Sequence, residues 1–208
     1  MQRFTPTQRR FAYAVAGLAG FVDVTGYLEL NGYFVSFMTG NTTLLARDIA
    51  FGAPRLLVPA LLIAGFVIGV MIGTLLGDRN PGQRQQNITM LVLAGLVLAS
   101  MARQFDAAEI SLALLVLSMG ALNTVLGANK VNPVGLTYMT GALVRTGQML
   151  AERLRGDRSA NPAPFMLLWA SLLGGAILGA LVATHFAQIS LWIAVIGAAG
   201  LALMARRA

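Results

Sequence analysis

Long runs of uncharged, apolar residues constrain this chain more than any other feature. An α-helix needs ~20 such residues to cross the hydrocarbon core of a bilayer. Four runs approach or exceed that length, at residues 56–77, 111–129, 161–184 and 186–205. Two more runs are a slightly short one at 87–102 and one at 11–28, in which Asp23 is the only charge. These six segments predict transmembrane helices.

The composition agrees with a membrane protein and excludes several other classes. Hydrophobic residues make up 57% of the 208, charged residues only 11%, and mean hydropathy is +0.72, which argues against a soluble globular domain. There is no cysteine for a disulfide or thiolate site, and one histidine, His185, is too few for a histidine metal centre. We therefore expect the lipid bilayer as partner and neither a metal nor a cofactor.

The net charge of +7 does not predict nucleic-acid binding. The basic residues lie in short loops and at the termini, where the positive-inside rule places them. A phosphate-binding surface would need a basic patch on one soluble face, and the sequence offers no such domain.

A motif that occurs twice predicts an internal duplication. Asp23 follows a glycine-bearing apolar run and precedes Met38-Thr39-Gly40, and Asn123 has the same position before Met139-Thr140-Gly141. Such a duplication is a common origin of transporter folds, in which the substrate site lies between the two repeats.

The resulting fold prediction is all-α, a polytopic membrane helix bundle in one domain, 1–208. It has two tandem repeats, about 8–104 and 107–207, each of four helical segments. Six strong transmembrane helices are joined by two more polar segments, at 33–50 and 134–150, which follow the turn signals Asn31-Gly32 and Asn132-Pro133.

Whether the two polar segments cross the bilayer decides the topology. If they cross, the chain has eight crossings and parallel halves. If they dip in and return, it has six crossings and inverted halves. Counting loop arginines and lysines gives a tie, and segment length slightly favours eight. Both topologies put the amino and carboxyl termini in the cytoplasm.

Small residues at four-residue spacing form the strongest packing signal. They lie on one helix face and let another helix approach closely. The set comprises Gly65, Gly69, Gly73 and Gly77 in the first half, and Ser171, Gly175, Gly179 and Ala183 in the second. We expect these two seams to be internal and to pack against each other across the pseudo-symmetry axis. A homodimer seam is the alternative.

Two charges within apolar segments are candidates for function. Asp23 lies near mid-bilayer depth, where a carboxylate is costly unless it is paired, hydrated or protonated. Arg145 is the only basic residue well inside an apolar segment; it could pair with Asp23 or bind an anionic substrate. The structural alternatives are that Asp23 caps a broken helix and that Arg145 extends its side chain to the membrane surface.

Polar residues around the repeated motif complete the predicted substrate or ion pathway. They are Thr39, Asn41 and Thr42 in the first half and Asn123 and Thr140 in the second. Hydrogen bonding between helices is the simpler explanation for them.

The chain resembles the YoaK family of bacterial inner-membrane proteins, which contain a domain of unknown function. The resemblance rests on Gly20-Phe21-Val22-Asp23, on Phe34-Val35-Ser36-Phe37-Met38-Thr39-Gly40-Asn41-Thr42 and on the weaker Met139-Thr140-Gly141. It implies a polytopic bacterial membrane protein and no particular reaction or substrate.

Taken together, these features favour a transporter or exporter of a small solute, with its site between the repeats and Asp23 as a coupling-ion or proton group. A structural or accessory membrane protein is the second interpretation and a channel the third. An enzyme is not expected, because no convincing nucleophile and base are paired in the sequence.

Overall fold

The computed structural model describes residues 4–30, 32–52, 57–127 and 137–206. Within them the chain is all-helical, and the longer helices form a bundle. The helices are α1 (Pro6–Glu29), α2 (Met38–Ala50), α3 (Leu57–Arg79), α4 (Arg84–Gln104), α5 (Ala108–Leu122), α6 (Met139–Leu154), α7 (Ala163–His185) and α8 (Ser190–Ala205). Short 3₁₀ turns, Pro81–Gln83 and Ala187–Ile189, precede α4 and α8.

Five of the predicted spans are helices that could cross a membrane. In the described residues, α1, α3, α4, α7 and α8 are long and apolar enough, α4 and α8 being counted with their 3₁₀ turns. The sixth, predicted at 111–129, differs: α5 has 15 residues and ends at Leu122. The chain turns there, Gly127 adopts a left-handed φ of 75°, and residue 129 lies outside the described residues.

The two polar segments are helical over only part of their predicted length. Residues 33–37 are non-helical, and α2 begins at Met38. In the second half, α6 begins at Met139, and Thr137 and Tyr138 before it are non-helical. The turn residues Asn31, Asn132 and Pro133, and the beginning of the predicted segment at 134–136, lie outside the described residues.

The glycines of α7 pack against α1. A Cβ on Gly175 would overlap the backbone carbonyl of Gly17, and a Cβ on Gly179 would lie 2.6 Å from the carbonyl oxygen of Phe21. Because the later residue of one helix meets the later residue of the other, α1 and α7 run parallel. The two backbones touch directly, which only small side chains permit.

The glycines of α3 pack against α5 in the same way. A Cβ on Gly69 would overlap the carbonyl oxygen of Leu117, and one on Gly73 would lie 2.9 Å from the Cα of Ala121. These helices are therefore parallel too. The expectation that the two small-residue faces pack against each other is wrong, since each meets the first helix of the opposite half instead.

The remaining small residues occupy the ends of these seams. Gly65 faces the side chain of Val116 and Gly77 faces that of Arg84. Ser171 donates its hydroxyl to its own helix at Leu167 O (2.7 Å), and Ala183 is half-buried. Space is therefore tightest at the middle of each seam.

Contacts between helix ends give the remaining directions. Glu29, at the end of α1, forms an ion pair with Arg103, near the end of α4. At the opposite end of the bundle Arg84, at the start of α4, donates to Thr124 O beyond the end of α5 (3.0 Å). A cavity there is lined by both Arg84 and Arg206, so α8 also finishes at that end. We call these the Glu29 end and the Arg84 end.

The helix directions show that neither α2 nor α6 runs from one end of the bundle to the other. Both the end of α1 and the start of α3 lie at the Glu29 end, so the intervening α2 must return to the side from which it came. The end of α5 and the start of α7 both lie at the Arg84 end, which constrains α6 likewise. The expectation of eight crossings is therefore wrong.

Candidate functional site

Asp23 holds the non-helical segment that precedes α2. Its Oδ1 accepts hydrogen bonds from the backbone N–H groups of Val35 (2.9 Å) and Ser36 (2.7 Å). The Ser36 side chain and the Phe37 N–H also interact with this carboxylate. Residues 33–37 have no helical partners for their N–H groups, and a carboxylate in the neighbouring helix provides acceptors for them.

Asn123 holds the corresponding segment in the second half. Its Oδ1 accepts from the hydroxyl (2.9 Å) and the N–H (3.3 Å) of Thr137, and its Nδ2 donates to Met119 O (2.9 Å). Thr137 precedes Met139 by two residues, as Ser36 precedes Met38. The first helix of each half thus binds the backbone before its second helix, by a carboxylate in one half and an amide in the other.

Asn41 is fully buried and also binds this non-helical segment. Its Nδ2 donates to Phe34 O (2.6 Å), and its Oδ1 accepts from Phe34 N–H (2.9 Å). The side-chain amide of Asn41 thus takes the place of a backbone partner for both the N–H and the carbonyl of Phe34. The second half has Ala142 at the matching position, which cannot form these bonds.

A further polar cluster joins the two ends of residues 33–50. The hydroxyl of Tyr33 donates to Asp48 Oδ2 (2.9 Å), and Arg47 forms an ion pair with Oδ1 (2.6 Å). The Asp48 side chain is only 2% exposed, whereas that of Arg47 is 55% exposed. Sequence patterns did not predict this cluster. The signal available was an aspartate on the helix face that also carries Asn41, with Met149 as its counterpart in the second half.

Three of the predicted pathway residues are exposed. Thr39 and Thr140 lie at the starts of α2 and α6. Thr42 donates to Met38 O in its own helix (2.8 Å). In these positions the hydroxyls can meet water or a solute.

Arg145 does not pair with Asp23, so the hypothesis of a direct ion pair is wrong. Arg145 is exposed on α6 and donates to Gln148 Oε1, one turn further along the same helix (3.2 Å). It remains available to an external anion, because Gln148 carries no charge.

The candidate residues thus form two clusters: one contains the carboxylates of Asp23 and Asp48, and the other contains the amide of Asn123. No group of three or more histidine and acidic side chains suited to a metal occurs within the described ranges. The hydroxyls, amides and carboxylates of these clusters, with the exposed guanidinium groups of Arg47 and Arg145, can bind polar groups.

Comparisons with known proteins agree on a family. A family model described as "Protein of unknown function (DUF1275)" matches residues 11–204. The UPF0700 transmembrane protein RA0705 of Rhizobium meliloti (strain 1021) is 34% identical over 185 residues, which cover 86% of this chain and 78% of the relative. The UPF0700 transmembrane protein YoaK of Bacillus subtilis (strain 168) is 26% identical over 203 residues, covering 90% and 89%.

No solved structure matches the chain. The resemblance to YoaK that rests on the Asp23 and Met-Thr-Gly motifs is confirmed by the similarity over most of both chains. This chain has helices long enough to span a membrane, in agreement with the transmembrane description of these relatives. This chain therefore belongs to the DUF1275 family and is an integral, multi-pass membrane protein.

Proposed function

We propose that the protein is a transporter or exporter of a small solute in the bacterial inner membrane. Its site lies between two inverted repeats near mid-bilayer, flanked by the two held backbones: residues 33–37 meet α1 towards the Glu29 end, and Thr137 meets Asn123 towards the Arg84 end. Asp23 is the proton or coupling-ion group, and Arg145 attracts an anionic part of the solute.

One observation carries this proposal: the paired arrangement of Asp23 with Ser36 and of Asn123 with Thr137. In each half a helix holds non-helical backbone just before a short helix that returns. Secondary transporters commonly place solute and ion sites at such interrupted helices, because free backbone groups there can bind a ligand.

The contacts of the two seams support a duplication. Gly20 meets the carbonyl of Leu172, and its counterpart Gly120 meets that of Phe66. Phe66 and Leu172 lie at matching positions, immediately after Gly65 and Ser171. The contact between α1 and α7 is therefore equivalent to the contact between α5 and α3 when the two halves are exchanged.

The helix directions support six crossings, with α2 and α6 re-entrant from opposite faces and both termini at one face, which we propose to be the cytoplasmic one. Single cysteines at Gly52 and Gln83, in a chain with no native cysteine, test this topology with an impermeant maleimide. Only the Gly52 position should react from the periplasm. Reaction of the Gln83 position alone would restore the eight-crossing topology.

Transport is tested in proteoliposomes that contain a pH-sensitive dye. A panel of small organic anions, amino acids and polyols is added outside, and solute uptake and internal pH are recorded. We expect at least one anionic or zwitterionic solute to drive proton movement, which Asp23→Asn abolishes while folding is retained. Solute movement without a coupled proton signal would indicate a channel.

A structural or accessory role is the alternative, and the use of Asp23 and Asn41 as backbone partners favours it. In that case Asp23→Asn lowers stability and no solute is moved by either protein. Arg145→Ala separates the two roles further. It removes an exposed side chain, so it should weaken solute binding in a transporter and leave an accessory protein's fold unaffected.

A further inference from the structure

We infer that the protonation state of Asp23 controls the release of residues 33–37, and that Asn123 makes the second half insensitive to pH at the matching position. This inference deepens the proposed function and rests on it: the backbone held by Asp23 responds to a proton, and the backbone held by Asn123 does not.

The geometry gives the physical reason. A single oxygen of Asp23 accepts two backbone N–H groups, at 2.9 Å from Val35 and 2.7 Å from Ser36. Bonds to an ionised acceptor are roughly twice as strong as bonds to a neutral one. Protonation of the carboxyl therefore weakens both bonds at once, and with them the polar attachment of the segment to α1.

The rest of the segment is built to move as one unit. Asn41 ties Phe34 to α2, and Tyr33 is tied to Asp48 near the end of the same helix. These bonds are internal to residues 33–50, whereas the bonds at Asp23 join that element to α1. Weakening the Asp23 bonds would therefore loosen this element from α1 without unfolding it, while Val35 still packs on Gly26 and Phe34 on Tyr27.

Other charges do not offset the one on Asp23. Of the helices packed against α1, α7 carries His185 at its exposed end, α5 carries Glu109 in its first turn, and α8 carries no charged residue. In the described residues the ion pairs join Arg47 to Asp48, Arg84 to Asp78 and Arg103 to Glu29. Asp23 is in none of them.

Asn123 has the same hydrogen-bonding role without a titratable group. Its Oδ1 accepts from Thr137 at 2.9 and 3.3 Å, and an amide keeps this capacity at any physiological pH. Since an asparagine already occupies the matching position, we expect Asp23→Asn to fold, with a neutral amide that holds the segment about as weakly as the protonated carboxyl does.

The test compares two single cysteines placed after the two held backbones. Phe37→Cys reports on the first half, and Tyr138→Cys, at the matching position, is the control; the native side chains are 42% and 64% exposed. Each purified full-length variant is labelled with a water-soluble methanethiosulfonate at a series of pH values. The ratio of the two rates largely cancels the common effect of pH on thiol ionisation. No solute is needed.

We expect the Phe37→Cys to Tyr138→Cys ratio to rise about tenfold as the pH is lowered, the change that corresponds to loss of one charge-assisted bond. Adding Asp23→Asn to both variants should leave a ratio independent of pH. A flat ratio with Asp23 present, or the same rise after Asp23→Asn, would overturn the inference. If Asp23→Asn does not fold, the ratio with Asp23 present still decides.

The transport proposal can fail separately. A pH-dependent ratio in a protein that moves no solute from the panel would support the proton-sensitive element and contradict the transport proposal. A flat ratio together with solute uptake would support the transport proposal, and a group other than Asp23 would then couple protons to the solute.

Discussion

The carboxylate of Glu29, at the end of α1, forms an ion pair with the guanidinium of Arg103, near the end of α4. The helices α2 and α3 and most of α4 separate the two residues in sequence, yet both lie at one end of the bundle. Because α3 and α4 are joined by a single short turn, this pair also fixes the end of the bundle at which α3 begins. The conclusion that α2 starts and finishes at the same end of the bundle depends on this ion pair.

Cross-linking tests this arrangement of helix ends. With cysteines at Glu29 and Arg103, we expect a short bifunctional thiol reagent to join them, because the native side chains meet at their tips in an ion pair. The matched control replaces Glu29, at the end of α1, and Arg84, at the start of α4, which lie at opposite ends of the bundle and should not cross-link. The readout is the altered gel mobility of the cross-linked protein. Equal cross-linking of both pairs would contradict the helix directions.

Replacing Asn41 by alanine should lower the free energy of unfolding by about 2–3 kcal/mol. The substitution leaves both the N–H and the carbonyl of Phe34 without the partner that Asn41 provides. Thr42→Ala is the control, since its exposed hydroxyl binds only its own helix, and it should change stability little. Unfolding in mixed micelles measures both, and similar losses would argue against the role of Asn41.

Gly175→Ala should destabilise the protein by about 1–3 kcal/mol, because the added Cβ would overlap the backbone of Gly17. The neighbouring Gly174→Ala is a close control, with nothing within 4 Å of its added Cβ. It should be neutral or stabilising by up to about 1 kcal/mol, since alanine favours the helix. The same unfolding assay applies, and equal effects would refute the seam.

Tyr33→Phe should destabilise the protein more than Arg47→Ala does. The Tyr33 hydroxyl is a buried partner of Asp48, whereas the Arg47 side chain is 55% exposed and its ion pair is screened by solvent. Thermal unfolding of the two purified variants at the same pH measures the order. A larger loss for Arg47→Ala would show that the ion pair dominates this cluster.

The sequence reached the fold class and the membrane environment because both depend on local properties. An apolar run of about twenty residues predicts a span wherever it is placed, and five predicted spans are helices of that kind in the described residues. The small-residue spacing likewise predicted which helix faces allow close approach. Asp23 and Asn123 were marked by being polar within apolar segments.

Tertiary structure alone decided what those features contact. The small-residue faces meet the first helix of the opposite half, as Gly69 does at Leu117 and Gly175 at Gly17, because backbone contact depends on the relative positions of whole helices. Arg145 and Asp23 looked complementary in the sequence, but Arg145 lies exposed on α6. The return of α2 was equally hidden, since loop charges and segment length say little about helix direction. Hydrophobic burial selects residues for the membrane one segment at a time, whereas helix partners and directions are set by contacts between residues far apart in the chain.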